Sequence, residues 1–519
     1  MTQQKSEDCI VPEGRRKSTP TQDSGGGKAV PVTGVDQQLL LAFATAEKPR
    51  ERGAESHHNL GLPGAREHMA PKAKVKQRTA GPARMEEVVE RLPEALAKVA
   101  ANKGAPGPDR QTIAHVVKHW EKVQAKLRLS LLDGSYCPGE IRRSWIPKSD
   151  GKGRRGLGIP NVVDRVVGEA VRQVLEPLYE PTFHPSSHGF RPGRGCQTAI
   201  HEAKSYVEEG YQMVVDIDLA NFFDRVPHQR LMARLAQRID DKRLLVLIGR
   251  MLKAKVVMPD GVKVATEEGV PQGGPLSPLL SNIVLSELDG ELARRGHRFV
   301  RYADDCNIYV RSERAGQRVM ASIVEFIERR LRLKVNVTKS AVAPPETRHF
   351  LGYRLAPKPD GTVEILLSER SVKRLKQRVR ELTPRSKGRS LKATIDGVNT
   401  YLRGWLGHFG ICSPGVERMA HNTDAHIRRR LRAIILKHWK QKRTIARRLI
   451  RLGVRKKTAW HRVYDGRKSL WKLSADPAVH HGLRNMYFIE RGLVSLKERF
   501  QSIWAGHSAP QQLMLFVET

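Results

Sequence analysis

The period of hydrophobic positions changes along the chain, and the changes mark its parts. From Met85 onward, Val88, Val89, Leu92, Leu96 and Val99 fall at intervals of three and four, which predicts an amphipathic helix. It ends at NKGAPGPD (102–109), whose prolines and glycines cannot continue it, and a second helix is predicted over 111–132. Between 140 and 360 strands and helices mix. WIPKSDGKGRRGLGIP (145–160) reads as a hairpin with a glycine-rich, basic tip, and MVVDIDL (213–219) as a short buried strand with carboxylates embedded in it. KVVMPDGVKVATEEG (255–269) is a second hairpin, turning at Pro259-Asp260-Gly261. Ser277 and Pro278 suit the cap and first position of a helix, with Leu279, Ile283, Leu288 and Leu292 along its apolar face. FVRYADDCNIYV (299–310) reads as strand, tight turn, strand, and beyond 370 the pattern is helical.

Composition adds a partner class. The 519 residues are 39% hydrophobic, enough for a sizeable core and for about two to four domains. Lysine and arginine number 92 against 54 acids, and a net charge of +38 recruits polyanions before any specific contact forms. The excess is concentrated: residues 371–470 hold 28 Lys/Arg and 5 Asp/Glu. In RRRLRAIILKHWKQKRTIARRL (428–449) cationic and apolar positions alternate at helical spacing, so one face can pack while the other meets phosphate. Residues 1–80 are rich in Gly, Pro, Ser, Thr and Gln and end in KAKVKQR (72–78), a composition expected to stay disordered with a basic end. The early apolar run LLLAFA (39–44) is too short to span a bilayer, and the expectation is a cytoplasmic, nucleoid- or ribonucleoprotein-associated protein without a membrane partner. Five scattered cysteines make no disulfide framework or zinc knuckle and are read as reduced thiols.

The acids carry the chemistry. Asp218 ends one apolar strand, and Asp304 with Asp305 sits at the tip of a hairpin. Carboxylates inside Val/Ile-rich strands are costly unless compensated, and a divalent cation is the usual compensation. Three of them converging could hold two Mg²⁺ ions, which would activate a 3′-hydroxyl and neutralise a leaving pyrophosphate. Taken alone, an Asp-Asp pair at a turn is most often just a solvated turn. Its neighbours decide.

Those neighbours resemble, in order, the blocks of group II intron-encoded reverse transcriptases, also called intron maturases. IPKSDGKGRRGLGIP and SSHGFRPGRGCQTAI (186–200) resemble the two fingers motifs, DLANFFDRVPH (218–228) the first palm motif, and GVPQGGPLSPLLSN (269–282) the nucleotide-pocket motif. YADD (302–305) resembles the polymerase signature, NVTKS (336–340) and HFLGY (349–353) follow it, and LRGWLGHFG (402–410) resembles the start of the thumb. The resemblance covers 85–500 and implies an α/β fold. That fold is a right-hand polymerase, fingers and palm with an antiparallel palm sheet, followed by an α-helical thumb and a basic maturase region. The implied divisions are a disordered basic extension (1–80), a helical extension of the fingers (81–135), fingers and palm (136–365), thumb (366–425) and an RNA-binding maturase region (426–519).

Carried over by motif, Asp218, Asp304 and Asp305 would be the catalytic, metal-binding acids; Asp216 lies on the same strand face, but the spacing to Phe222-Phe223-Asp224 favours Asp218. Phe223, or its neighbour Phe222, would pack under the incoming sugar. Gln272 would contact the nucleotide, Lys148 and one of Arg154 and Arg155 would grip its triphosphate, and Lys339 resembles the lysine after the catalytic hairpin. Arg191 and Arg194 would touch template or only hold the fingers together. Arg428, Arg429, Arg430, Lys437, Lys440, Arg447 and Arg448 would meet nucleic acid, unless the tail is only a thumb with a charged outer face. The implied activity is RNA-directed DNA polymerisation with Mg²⁺, dNTPs, an RNA template and a DNA primer or target, with intron RNA bound to assist splicing. A maturase with a dormant polymerase, or a domesticated enzyme in repair or defence, are the alternatives. No zinc-supported nuclease pattern follows Trp471, and no second-strand nuclease is expected.

Overall fold

Pro93 splits the first predicted helix. It has no N–H to give the preceding turn, so the segment forms as Met85–Glu90 and Leu92–Ala101, joined at Arg91. The second is likewise two pieces, Ile113–Lys118, capped by the Thr112 hydroxyl accepting from the His115 N–H, and Trp120–Leu132. The computed structural model describes residues 83–147, 153–385, 388–466 and 468–508. The expectation for 1–80 and the role given to Lys148 lie outside those residues.

Three sheets follow. Strands β1 (Ile141–Pro147) and β2 (Arg154–Ile159) form the first hairpin, with Ile146 opposite Arg155 and Pro147 opposite Arg154. The central sheet contains β3 (Met213–Ile217), β6 (Arg298–Tyr302), β7 (Asp305–Val310) and β8 (Ala341–Ala343), all antiparallel in the order β6-β7-β3-β8. The short pieces β4 (Val256–Val257) and β5 (Lys263–Val264) extend the first sheet, β4 running parallel to β1. A last hairpin pairs β9 (Tyr353–Pro357) with β10 (Val363–Leu367).

The central sheet is buried on both faces, and its period of two sorts the core. Val215 and Ile217 of β3 with Cys306 and Ile308 of β7 join a core that runs back to the first helices. Val214 and Tyr309 face the other way, into a core built from helix Cys196–Glu208 and the C-terminal helices. Helix Ser277–Arg294 buries Leu279, Ile283, Leu288 and Leu292 as expected. Its cap differs: Leu276 holds the cap position, because the Ser277 hydroxyl is drawn away to donate to the Pro271 carbonyl at 2.6 Å.

Two expected divisions cut through elements. The one at 365 falls inside β10, and the one at 425 inside the 23-residue helix Glu417–Trp439. Charge changes near both points, but packing does not: Ile365, Leu367, Ile427 and Leu431 all belong to the second core. Among the described residues no helix is long and apolar enough to cross a membrane, and Cys137, Cys196, Cys306 and Cys412 are free thiols.

Candidate active site and basic face

The hairpin between β6 and β7 turns so tightly that Tyr302 pairs with Asp305, leaving Ala303 and Asp304 as the turn. Ala303 adopts φ +56, in the left-handed region that an L side chain enters only when its surroundings hold it there. The loop Ser186–Gly189 supplies part of that hold. The Arg301 N–H donates to the Ser186 carbonyl at 2.9 Å, the His188 N–H to the Arg301 carbonyl at 2.8 Å, and a Cβ on Gly189 would meet the Ala303 nitrogen at 2.3 Å. Only glycine permits that approach.

Beneath the turn lies Arg301, fully buried with all five of its N–H donors used. They reach both oxygens of Asp289, the Asn282 side-chain carbonyl, the Ser187 hydroxyl and the Ala303 backbone carbonyl at 2.6–3.0 Å. Asn282 in turn donates to the Gly189 carbonyl at 2.8 Å. Sequence reasoning missed this network. Its only local signal is a charged residue between apolar neighbours in FVRY.

Asp218 follows β3 directly. Its N–H donates to the Ser340 hydroxyl at 3.0 Å, its carbonyl accepts from the Asn336 N–H at 2.8 Å, and Lys339 Nζ lies 3.5 Å from its carboxylate. The NVTKS segment therefore fixes this acid against the sheet. Asp216, two residues earlier, is bound by Arg348, whose Nε is 3.0 Å from Oδ2, a closer, hydrogen-bonded partner than Lys339 is to Asp218.

Asp304 and Asp305 share one negative field with these groups. Burial raises the Asp304 carboxyl, with Asp218 adding to the rise and Arg155 opposing it. Asp305 is reached by solvent on one side, yet the protein around it and the charges of Asp304, Asp216 and Asp218 push its carboxyl up to about 7. Among the described residues no three acid, histidine or cysteine side chains close into a formed metal cage. The donors are nonetheless all oxygens, and their mutual repulsion is what a hard divalent cation relieves. On both counts the set fits Mg²⁺.

The remaining predicted contacts sort by geometry. Arg155, from β2, donates through Nε to the Gln272 side-chain oxygen at 2.5 Å and acts on Asp304, which distinguishes it from its neighbour Arg154. Gln272 is itself set by its backbone: its carbonyl accepts from the Gly158 N–H at 2.7 Å, and Gly273 takes φ +121 where a Cβ would strike the Gly158 carbonyl. Phe222 and Phe223 pack edge to face at 5.2 Å. Phe223 lines a cavity of about 550 Å³ together with Gln272, Gly158 and Trp145, and Phe222 does not. Asp224 is exposed and lines the same cavity.

Arg191 is a tie rather than an open contact. It is buried, and its guanidinium binds Glu180 and the carbonyls of His184 and Ser187. Arg194 donates to the Pro185 carbonyl at 2.5 Å. In the basic tail Lys437, Lys440, Arg447 and Arg448 are exposed, while Arg428, Arg429 and Arg430 are half-buried.

Residues 146–355 match the family model described as "Reverse transcriptase (RNA-dependent DNA polymerase)", and residues 372–453 match "Group II intron, maturase-specific domain". Among curated relatives, Protein YkfC of Escherichia coli (strain K12) is 32% identical over 308 residues, 51% of this chain and 80% of that one. The group II intron-encoded protein LtrA of Lactococcus lactis subsp. cremoris is 31% identical over 309 residues, 47% of this chain and 51% of that one, so the alignment spans about half of the relative. The putative COX1/OXI3 intron 2 protein of Saccharomyces cerevisiae (strain ATCC 204508 / S288c) is 28% identical over 271 residues, covering 41% and 32% of the two chains.

Proposed function

Since this chain belongs to the group II intron-encoded reverse transcriptases and maturases, we propose that it copies RNA into DNA by adding deoxynucleotides to a primer 3′-hydroxyl. We propose further that it binds intron RNA to assist splicing and mobility. In this reading the sheet β6-β7-β3-β8 is the palm, the sheet β2-β1-β4-β5 the fingers, and the helices from Glu369–Leu382 onward the thumb and maturase region.

The observation that carries the reading is the shared negative field of Asp218, Asp304 and Asp305 at the ends of the central strands β3 and β7. These residues would hold two Mg²⁺ ions, which when bound lower the pKa of the attacking hydroxyl and offset charge on the phosphorus and the departing pyrophosphate. The chain's own groups do the rest. Arg155, oriented by Gln272, presents a fixed guanidinium to the triphosphate. Phe223 closes the floor of the sugar pocket, where a 2′-hydroxyl would meet its ring. Lys339 stands beside Asp218 and limits the repulsion among the acids before substrate enters.

Primer extension on an RNA template with Mg²⁺ and dNTPs tests it. Wild type should extend, and Asp304→Ala should lose extension while still binding RNA. An inactive wild type that binds RNA would instead support the maturase with a dormant polymerase, and an active Asp304→Ala would remove the acids from the chemistry.

A further inference from the structure

Within the basic helices, cations gather around the neighbouring rings of Trp471 and His426. Helix Glu369–Leu382 brings Lys376 and Arg380, and Arg385 follows it; helix Glu417–Trp439 brings His426, Arg429 and Arg430; the short helix Leu470–Leu473 brings Trp471. The Arg429 guanidinium carbon lies 4.1 Å from the Trp471 ring centroid and that of Arg385 5.6 Å, with the His426 ring edge-on at 6.5 Å. Arg430 joins the two long helices, donating to the Thr383 hydroxyl, to its carbonyl at 2.8 Å and to the Arg380 carbonyl at 3.1 Å.

Among the described residues no carboxylate pairs with these cations. His426 is held below the usual imidazole range by burial and then by Arg430, Arg380, Lys376 and Arg429, all of them cations. His426 Nε2 and Arg429 Nε are sealed from solvent and have no hydrogen-bond partner. Buried polar atoms are nearly always paired, and orphans beside converging cations mark the place of an absent anion. Lys376, Arg380 and Arg385 are exposed and the Trp471 ring is half-buried, so the place is open to a ligand.

We propose that this cluster is a phosphate-binding site for RNA, with Arg429 and Arg385 gripping a backbone phosphodiester and Trp471 serving as the platform that fixes the Arg429 guanidinium. Cation–π contact with an indole face restrains an arginine without consuming its N–H donors, which leaves the fork free for phosphate oxygens. RNA is the ligand assigned because five of the cations lie within 372–453, the stretch matched to the maturase-specific domain. The assignment rests on the RNA-binding half of the proposed function and narrows it to one place.

The test uses the full chain and two fluorescent probes, an RNA hairpin with an unpaired loop and the DNA hairpin of the same sequence. Binding is followed by anisotropy over a range of potassium chloride concentrations. Arg429→Gln combined with Arg385→Gln should weaken RNA binding about tenfold or more and lower the log–log salt slope by about one. Trp471→Leu should do the same and Trp471→Phe should recover most of the affinity, a rescue that loss of fold would not give. Removing two exposed charges from helix Lys456–Tyr464, by Lys456→Gln with Lys457→Gln, should cost less than about threefold. Wild-type affinity and slope in the Arg429/Arg385 double variant overturn the site. Equal losses on the RNA and DNA hairpins overturn its assignment to RNA. A wild type that binds neither hairpin overturns the RNA-binding reading beneath it, and is recognised without any variant.

Discussion

The guanidinium of Arg301 holds both carboxylate oxygens of Asp289 at 2.6 Å, with the two side chains 0% and 1% exposed. A fork-to-fork pair sealed in this way is directional, and its remaining donors end on the Ala303 carbonyl, the Asn282 side-chain carbonyl and the Ser187 hydroxyl. The pair therefore supports the left-handed turn that carries Asp304. Asp289→Asn or Arg301→Gln should each cost about 3–5 kcal/mol, because an unpaired charge or donor set is left buried. Urea unfolding measures this. Arg301→Met with Asp289→Leu should recover much of the stability, since apolar replacement of a buried pair is often neutral, yet extension should stay slow without the tie to Ala303. Wild-type extension in that double variant would show that the pair serves stability alone.

Arg155 and Gln272 make the corresponding link at the pocket entrance. Loss of a charge-assisted contact to a triphosphate costs about 1.5–3 kcal/mol, so Arg155→Gln should raise KM for dNTP roughly ten- to a hundredfold. Arg154→Gln should change it by less than about threefold. Steady-state single-nucleotide extension decides, and the reverse ranking of the two variants would reassign the grip.

How far these relationships were legible depends on their separation along the chain. Asp218, Asp304 and Gln272 sit in contiguous motifs that the resemblance covers, so it nominated them, and it left Phe223 open against Phe222. Arg154 and Arg155 could not be separated that way. What sets Arg155 apart is strand register and a bond from β2 to the turn after Val270. Arg301 and Asp289 were invisible as a pair for the same reason, since neither motif contains the other. Ser277 misled in the opposite sense. Its type and position suit a cap, but a tertiary acceptor, the Pro271 carbonyl, outcompetes the helix end for its hydroxyl. The resemblance likewise implied divisions at 365 and 425, where the apolar residues Ile365 and Ile427 belong to one core.

Phe222 and Phe223 are both apolar and packed together, but only the second faces the cavity. Phe222→Ala should therefore lower stability by about 3–5 kcal/mol and leave the preference for deoxynucleotides intact. Phe223→Val should relax that preference, measured as the ratio of kcat/KM for dNTP over rNTP, with a smaller loss of stability. If the selectivity change follows Phe222 instead, the pocket floor has been assigned to the wrong ring.

His228 ties the pocket motif to the helix that begins with it, and its surroundings favour the neutral ring. Its Nε2–H donates to the Gly269 carbonyl at 2.6 Å, while Nδ1 is sealed off with no partner. A second proton would place both a charge and an unbonded N–H in the interior, and burial accordingly holds the imidazole below its usual 6.5. The unfolded chain accepts that proton near 6.5 and the folded chain only at lower pH, so between the two the unfolded state binds more protons. Stability is then fully present above the unfolded value and declines as pH falls through the folded one. Partial desolvation shifts His184, His297, His349, His426 and His480 in the same direction, and they add to the decline. His228→Gln keeps an N–H donor for Gly269 and cannot titrate. Urea midpoints from neutral to mildly acid pH should fall less steeply for this variant than for wild type, and parallel curves would mean that the folded and unfolded chains take up the His228 proton equally.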